Sequence, residues 1–320
     1  MKWYKPLALI TVLLLFTVTA LCACSAQPAQ EAEAATIRVV VTHNFGQELM
    51  FDETLEVLPG TSAMEALTEI AEVETAYGGG FVNAINGVRS GYTSGHHTQK
   101  DWFFYANGIW SNVGALDYTL HPGDIEHWDF HGWGFHTFIP AIIGDFPEPF
   151  GHGYEGVVYP TMIAYQDGWE RDAKHIASRL SQLGVASVSI TSISELSKKE
   201  KESCNLLLLG TMDCQPISEL NQVWGRLGFY AHFQDDKLVV VNSKGKATDE
   251  YGAGAGLIQA TQSLWNPKGI RACENVVWMV SGTDETGVKS AIDALINHYT
   301  EFRYAYAVVI ANGGIIKLPR

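Results

Sequence analysis

The chain has 320 residues, and its 47% hydrophobic and 11% aromatic content is that of a folded protein, which excludes a largely disordered chain. Its 35 acidic residues outnumber its 21 lysines and arginines, for a formal net charge of −14, and this acidity argues against a nucleic-acid partner. Residues 36–320 are long for one hydrophobic core and favour two domains.

The first residues have the pattern of an export signal. Lys2 and Lys5 precede a mostly apolar run, Leu7–Val18, and small residues follow. The run is too short for a membrane-spanning helix, which needs roughly 20 apolar residues. The segment Leu21–Cys24 resembles a bacterial lipobox. That resemblance implies removal of residues 1–23, lipid on the Cys24 sulfur, and anchoring on the extracytoplasmic side of the cell membrane.

Two alternatives stay open at this segment. It also fits an ordinary secretory signal with a chance cysteine, and Cys22 is a second acceptor, although Leu21 before it is bulky for a cleavage site. Residues 24–35 are small and polar without a hydrophobic period, and they predict a flexible tether.

Residues 36–130 predict one small domain that begins with a hairpin and a helix. Thr36–Thr42 is rich in β-branched residues, and Leu49–Val57 is its expected hairpin partner. Ser62 and Glu65 have the spacing of a capping box, which starts a helix. Further strands are predicted over Phe81–Ile85, Trp102–Ala106 and Ile125–Phe130. A helix across one face of such a sheet is an α+β, β-grasp-like arrangement.

Four motifs follow one another in this domain. They are Val57–Leu67, Gly80–Gly87, Asp101–Gly108 and Tyr118–Trp128. In this order they resemble the transcobalamin C-terminal-like domain family, a β-grasp-type domain that covers one side of bound cobalamin in animal vitamin B12 carriers. The resemblance implies cobalamin or another corrinoid as a ligand. The helical barrel domain of those carriers has no counterpart in this sequence.

Residues 131–155 are rich in glycine, proline, phenylalanine and histidine, and predict a linker that packs between domains. Residues 156–320 alternate strand and helix, which predicts a parallel three-layer α/β domain. Strands are expected over Val157–Ala164, Val185–Ile190, Asn205–Leu209, Phe229–Phe233, Lys237–Asn242 and Val276–Val280. Helices are expected over Trp169–Leu183, Ile217–Leu227, Gly256–Leu264 and Thr286–Tyr299.

Three segments of this second domain carry another resemblance. Leu209–Thr211, Gly254–Gln259 and Val280–Leu295 resemble a Rossmann-like module of bacterial and archaeal surface-layer proteins. That resemblance implies a structural or binding module at the cell surface and names no ligand.

Aromatic and amide side chains near the end of the first domain predict a ligand site. Alternate strand residues face opposite sides, so one aromatic set covers the core and the other is free to form an exposed platform. A corrin suits aromatic faces with nearby amide donors. The alternative is that these aromatic residues belong to the core. The candidate residues are Trp102, Tyr105, Asn107, Trp110, Asn112 and Trp128.

Histidines, glycines and cysteines give weaker signals. Imidazole is a common metal ligand and can also be an axial ligand to a corrinoid. No metal motif such as His-Glu-x-x-His occurs in the sequence. The alternative is that these histidines are polar residues of loops and of the linker. Gly252–Gly256 suggests a phosphate cradle or simply a tight turn. Beyond Cys24 the mature chain keeps Cys204, Cys214 and Cys273, so at most one disulfide forms among them. The histidines concerned are His96, His97, His121, His127, His131, His136 and His152.

Catalysis finds little support, because no nucleophile elbow and no cysteine with a catalytic histidine spacing occurs. We therefore expect a binding protein with no covalent cofactor. The leading hypothesis is a lipid-anchored extracytoplasmic protein that captures a corrinoid and feeds a membrane importer. The alternative is a structural or adhesive surface protein that holds protein or cell-wall partners without a small ligand.

Overall fold

The computed structural model describes residues 33–93, 95 and 97–320. Of these, Ala34–Arg320 form one compact unit. The predicted export signal, Cys24 and most of the tether lie outside the described residues, as does His96. None of the helices in the described ranges combines the length and the apolar character needed to cross a membrane.

The first half of the chain is mostly strands with one helix. Its elements are β1 (Ala35–His43), β2 (Glu48–Val57), α1 (Ala63–Ile70), β3 (Val73–Ala76), β4 (Phe81–Ile85), β5 (Val88–Arg89), β6 (Lys100–Ala106), β7 (Ile109–Trp110) and β8 (Ile125–Gly132). Five strands form a sheet in the order β2-β1-β8-β6-β7, in which only β1 and β8 are parallel neighbours. Strands β3, β4 and β5 form a small separate sheet. This mixture is consistent with the predicted α+β class.

Helix α1 begins at the predicted capping box. The Glu65 N–H donates to Ser62 Oγ at 3.2 Å, and the Ser62 N–H donates to Glu65 Oε2 at 2.8 Å. These bonds satisfy two of the free N–H groups at the start of the helix. The buried side of α1, which includes Leu67, packs with Ile37 and Trp128 of the sheet in one apolar cluster. The helix therefore covers one face of the five-stranded sheet.

The second half is built around a seven-stranded sheet. Its elements are β9 (Thr161–Tyr165), α2 (Glu170–Gln182), β10 (Val188–Ser192), α3 (Lys198–Ser203), β11 (Asn205–Thr211), α4 (Gln215–Gln222), β12 (Ala231–Gln234), β13 (Lys237–Val241), β14 (Ala247–Tyr251), β15 (Gly256–Gln262), β16 (Val276–Gly282), α5 (Glu285–Asn297), β17 (Ala307–Ala311) and β18 (Gly314–Leu318). The strand order is β10-β9-β11-β16-β15-β17-β18, and β12, β13 and β14 form a separate small sheet.

Two predictions for this half were wrong. The segment expected to be a helix over Gly256–Leu264 is strand β15. It lies between β16 and β17, and all seven of its residues are buried, so its sequence shows no alternation that would separate a strand from a buried helix. The sheet is also not wholly parallel, because β15 runs antiparallel to β16 and β17, and β17 runs antiparallel to β18.

Both faces of the large sheet are covered. Along β11, Leu207 packs in the same cluster as Ile176 of α2, whereas Leu208 packs in the cluster that contains Ile217 of α4 and Leu238 of β13. This alternation follows from the two-residue period of a strand. Leu208 thus belongs to the layer that also contacts the linker and the first half of the chain.

The aromatic linker after β8 packs between the two halves. Ile142 is fully buried, and its N–H donates to the Gly108 carbonyl at 2.9 Å. Phe146 and Phe150 pack on Trp278 of β16, with ring centroids 5.6 and 5.3 Å from the indole. The linker therefore contacts both the five-stranded and the seven-stranded sheet.

Candidate functional site

Three of the predicted aromatic site residues lie in the interior rather than on a surface. Trp102 and Trp128 are 7% and 4% exposed, and Tyr105 is fully buried. The first two lie on the face of the five-stranded sheet that α1 covers, and Tyr105 lies on the opposite face, which the second half of the chain covers. The exposed platform expected from strand alternation is thus absent at these positions, because both faces of β6 are packed. Ligand binding by these residues stays a prediction.

Asn107 is also buried, and its side chain is occupied by structural hydrogen bonds. Its Nδ2 group donates to Asp124 Oδ1 at 2.7 Å and to the Gly153 carbonyl at 2.9 Å. Its Oδ1 accepts from the Ile125 N–H at 2.7 Å. Both amide hydrogens are therefore used inside the protein, and this side chain ties the start of β8 to the linker.

Trp110 and Asn112 are the two predicted site residues that reach the surface. The half-buried Trp110 indole lies 5.3 Å from the Phe138 ring, measured between centroids, and the Arg271 guanidinium carbon lies 5.8 Å from its ring centre. The exposed Asn112 donates through Nδ2 to the Arg271 carbonyl at 3.3 Å. Both residues thus border a surface pocket that contains Phe138 and Arg271.

This cationic pocket has a volume of about 480 Å³. Its walls come from three separate parts of the chain: the linker, the turn after α4, and the loop between β15 and β16. The volume of the cationic pocket lies in the range of pockets that hold small molecules. The lining residues are Phe135, His136, Thr137, Phe138, Gly225, Arg226, Lys268, Ile270 and Arg271.

The linker wall of the cationic pocket is held by aromatic packing. The buried His136 ring donates through Nε2 to the Phe229 carbonyl at 2.9 Å, and its burial lowers the pKa of this histidine, which favours the neutral ring. The Phe135 ring packs so closely on Gly245 that a Cβ added there would lie 2.3 Å from it. A glycine at position 245 therefore leaves room for this aromatic wall.

The charged side chains of the cationic pocket all have the same sign. The exposed Lys268 ammonium pairs with Glu274 at the surface, and this bond raises the pKa of the lysine. The Arg271 guanidinium carbon lies over the Phe138 ring, 4.1 Å from its centre. Neither Arg226 nor Arg271 forms an ion pair with any carboxylate in the described part of the chain. No carboxyl group lines the pocket, which is therefore positively charged on an acidic protein.

A buried polar network, which was not predicted from the sequence, lies between the two halves. The Thr42 hydroxyl and the His131 Nδ1–H donate to the Asp129 carboxylate at 2.7 and 2.8 Å. The backbone N–H groups of Phe45 and Gly46 donate to it at 3.0 and 2.9 Å. Polar residues alternate along β8. This pattern would predict a buried polar face only if the packing of the second half were known.

The predicted histidines do not form a shared site. His127 and His131 lie on the same side of β8, but each pairs with its own carboxylate, His127 with Asp145 at 2.9 Å and His131 with Asp129. These two and His136 are buried, so they are not polar loop residues. Within residues 33–93, 95 and 97–320, no group of three or more His, Cys, Asp or Glu side chains is placed to hold a metal ion.

The glycine segment Gly252–Gly256 forms a turn, as its tight-turn interpretation predicted. The Gly254 N–H donates to Asp284 Oδ2 at 2.8 Å, and the Ala255 N–H donates to Thr283 Oγ1 at 3.2 Å. These N–H groups are therefore engaged within the protein, and the segment leads into a strand instead of a helix.

The three cysteines that the structure describes are free and buried. Burial raises the pKa of Cys214 and of Cys273 to about 11, and it also raises the pKa of Cys204. All three are therefore thiols near neutral pH, which does not suit a nucleophile. Cys273 lies directly behind the cationic pocket, where its thiol donates to the Trp110 carbonyl at 3.2 Å.

Comparison with known proteins gives one family match. A family model described as a domain of unknown function (DUF4430) matches residues 60–132, which span α1 to β8. The match includes Trp110 but ends before Phe135, so the lining of the cationic pocket lies outside it. None of the curated proteins matches the chain.

Two solved structures show limited similarity. One is a candidate metal-binding protein from Ruminococcus gnavus ATCC 29149, with 18% identity over 31% of this chain and 97% of that chain, and a TM-score of 0.24. The other is haptocorrin in complex with Cbi, with 12% identity over 32% of this chain and 26% of that chain, and a TM-score of 0.26. Both similarities concern about a third of the chain.

Proposed function

We propose that this protein is a lipid-anchored extracytoplasmic binding protein that captures a small ligand in the cationic pocket. The observation that carries the proposal is the pocket itself, about 480 Å³ in volume, with aromatic walls and two arginines that have no carboxylate partner in the described ranges. Pockets that combine apolar walls with a few polar groups of this kind are typical ligand sites. The proposed role is binding without catalysis, followed by delivery to a membrane importer.

A corrinoid is the ligand that we propose first. The support comes from the four motifs between Val57 and Trp128, which resemble the transcobalamin C-terminal-like family. Cobalamin is larger than the cationic pocket, so only part of it would enter. Its nucleotide arm carries a phosphate, which suits the exposed arginines, and Trp110 beside the pocket offers a flat surface to a conjugated ring.

Titration of the full chain in detergent with hydroxocobalamin tests this proposal. We expect a change in the visible spectrum and heat of binding in calorimetry, with a Kd tighter than about 1 mM. Trp110→Ala removes the ring beside the pocket and is expected to weaken binding. Asn112→Ala removes the hydrogen bond that Asn112 donates to the Arg271 carbonyl and the one that it accepts from the Tyr154 hydroxyl.

The matched control is Tyr77→Ala, which deletes an 81% exposed aromatic ring outside the pocket. It is expected to bind as the unchanged protein does. Absence of hydroxocobalamin binding would eliminate the corrinoid and favour the alternative of a structural or adhesive surface protein. Binding that survives both Trp110→Ala and Asn112→Ala would place the site elsewhere.

The proposed lipid anchor is tested separately. Cells that express the full chain are fed an alkyne-labelled palmitate, and we expect label on the unchanged protein and none on Cys24→Ala. Cys22→Ala is the matched control, because it removes the neighbouring candidate cysteine. An uncleaved, unlabelled protein in the cytosol would contradict the proposed location.

A further inference from the structure

We infer that the cationic pocket recognises an anionic oxyacid group, a phosphate or a carboxylate, carried on a flat unsaturated ligand. This inference rests on the proposed function, because it names the chemistry of the ligand held in the same pocket. It does not require that ligand to be a corrinoid.

The charge of the pocket is opposite to that of the whole chain. The chain carries 35 acidic and 21 basic residues, so an average stretch of its surface is negative. The lining of the pocket reverses this balance, because it contains Arg226, Lys268 and Arg271 and no carboxyl group. A local concentration of positive charge in a recess attracts anions and raises their local concentration.

Arg271 lies over two aromatic rings. Its guanidinium carbon lies 4.1 Å from the centre of the Phe138 ring and 5.8 Å from that of Trp110. Contact through the flat face of a guanidinium leaves its N–H edge free for acceptors. No hydrogen bond or ion pair occupies this side chain within the described ranges. A planar fork of donors matches the two oxygens of a carboxylate or phosphate.

The other two cations of the pocket differ in whether they have a carboxylate partner. Arg226 is exposed at the end of a 3-10 turn, Trp224–Arg226, and has no carboxylate partner among the described residues. Lys268, in contrast, is paired with Glu274. Arg226 and Arg271 are therefore the two cations available to a ligand, and Lys268 contributes mainly long-range charge.

Hydrogen bonds hold the backbone beneath Arg271 in place. The Cys273 N–H donates to Gln262 Oε1 at 2.8 Å, and Gln262 Nε2 donates to the Pro140 carbonyl at 3.1 Å. This buried amide joins the Arg271 loop to the linker wall of the pocket. A loop that is already ordered loses less conformational entropy when a ligand binds.

The flat part of the ligand follows from the linker wall. Phe135 and Phe138 are half-buried, so part of each ring is open to the pocket. Aromatic rings of this kind pack favourably on other flat rings. An anion without a ring would use the arginines alone, and a ring without a charge would use the phenylalanines alone.

Calorimetry on the full chain in detergent tests the inference with three probes. Phenyl phosphate carries both features, inorganic phosphate carries the charge, and phenol carries the ring. We expect phenyl phosphate to bind more tightly than either of the others, with affinity that falls as salt is raised because the charges are exposed. Binding of phenol equal to that of phenyl phosphate, or no binding of phenyl phosphate at millimolar concentration, would overturn the inference.

Arginine variants identify the donors. Arg271→Gln and Arg226→Gln are each expected to weaken phenyl phosphate binding about 10-fold, which is typical for loss of a hydrogen bond to a charged group. Arg171→Gln is the matched control, because it removes the same charge from an exposed site on α2. Equal losses in all three variants would show a general charge effect and overturn the role of the pocket.

The outcomes for hydroxocobalamin separate this inference from the proposed function. Hydroxocobalamin binding that is unchanged in Arg226→Gln and Arg271→Gln would keep the corrinoid and overturn the inference. Phenyl phosphate binding that depends on these arginines, with no hydroxocobalamin binding, would keep the inference and eliminate the corrinoid.

Discussion

Glu126 and Asp129 lie on opposite faces of β8, and their carboxyl groups respond to burial in opposite ways. Burial raises the pKa of Glu126 to about 8, because the one hydrogen bond that opposes it comes from the Trp128 indole at 2.6 Å. Burial also acts to raise the pKa of Asp129, but the hydrogen bond and the electrostatic attraction of His131, together with hydrogen bonds from Thr42 and Gly46, lower it to about 2. The number of donors around each carboxyl group decides whether its protonated or its ionised form is stable.

The raised pKa of Glu126 predicts a pH-dependent stability. Between its ordinary value of 4.5 and about 8, the folded protein binds more protons at this group than the unfolded chain does. The contribution of Glu126 to stability is therefore greatest below about pH 4.5 and is lost as the pH rises towards 8. Glu126→Gln is expected to reduce the fall in unfolding free energy between pH 5 and pH 8, measured by urea titration at each of about four pH values.

Glu69→Gln is the control for this measurement, because Glu69 is exposed on α1. Its pH dependence should equal that of the unchanged protein. The same slope in Glu126→Gln and in the unchanged protein would show that Glu126 does not titrate in this window.

The sequence could identify candidate site residues but not their exposure. Trp110 and Asn112 were predicted, and they border the cationic pocket. Trp102 and Tyr105 were predicted by the same argument, yet they are buried. Alternation along a strand separates two faces, but packing of residues distant in sequence decides which faces are covered. Nothing in the local sequence around Arg226 and Arg271 indicates that they line the same pocket.

At the scale of elements, local signals were sufficient where a helix has a cap or a strand has clear boundaries. The capping box before α1, the strand Phe81–Ile85 and the buried run that begins β11 were all confirmed. Strand β15 was missed because its neighbours bury both of its faces. Because buried polar residues such as Gln259 and Thr261 follow the apolar Leu257 and Ile258, its sequence has no period that distinguishes a strand from a helix.

Two identical capping boxes allow a matched test at this scale. Ser62 caps α1, whose inner side is buried, and Ser197 caps α3, a six-residue helix without buried residues. Ser62→Ala is expected to lower the unfolding free energy by about 1 kcal/mol, a typical cost of losing such a cap. Ser197→Ala is expected to cost less, because α3 can fray without exposing apolar surface. Urea titration measures both, and equal costs would contradict this reasoning.

At the scale of the whole molecule, the aromatic linker makes the two sheets depend on each other. The Tyr304 hydroxyl also donates across the chain to Asp52 Oδ2 at 2.6 Å, and Tyr306 lies against Asp129. Residues Ala34–Arg320 accordingly form one compact unit. We expect one cooperative unfolding transition, because the unfolding of either sheet would expose a covered face of the other.

Ile142→Ala tests this dependence. The side chain is fully buried in the linker, so its truncation is expected to lower the unfolding free energy by about 2–5 kcal/mol. Tryptophan fluorescence and far-ultraviolet circular dichroism should report the same shifted midpoint in urea. Val157→Ala, a truncation of a 55% exposed side chain further along the chain, is the control and should change little. Two separate transitions would contradict the coupling.

The three walls of the cationic pocket come from residues near positions 136, 226 and 270, which are far apart along the chain. A ligand bound there would hold these three distant segments of the chain together. By mass action, the melting temperature of the protein rises with the concentration of such a ligand. The size of the increase depends on the dissociation constant of the ligand. Screening compounds for an increase in the melting temperature of the protein would therefore identify the natural ligand without an activity assay.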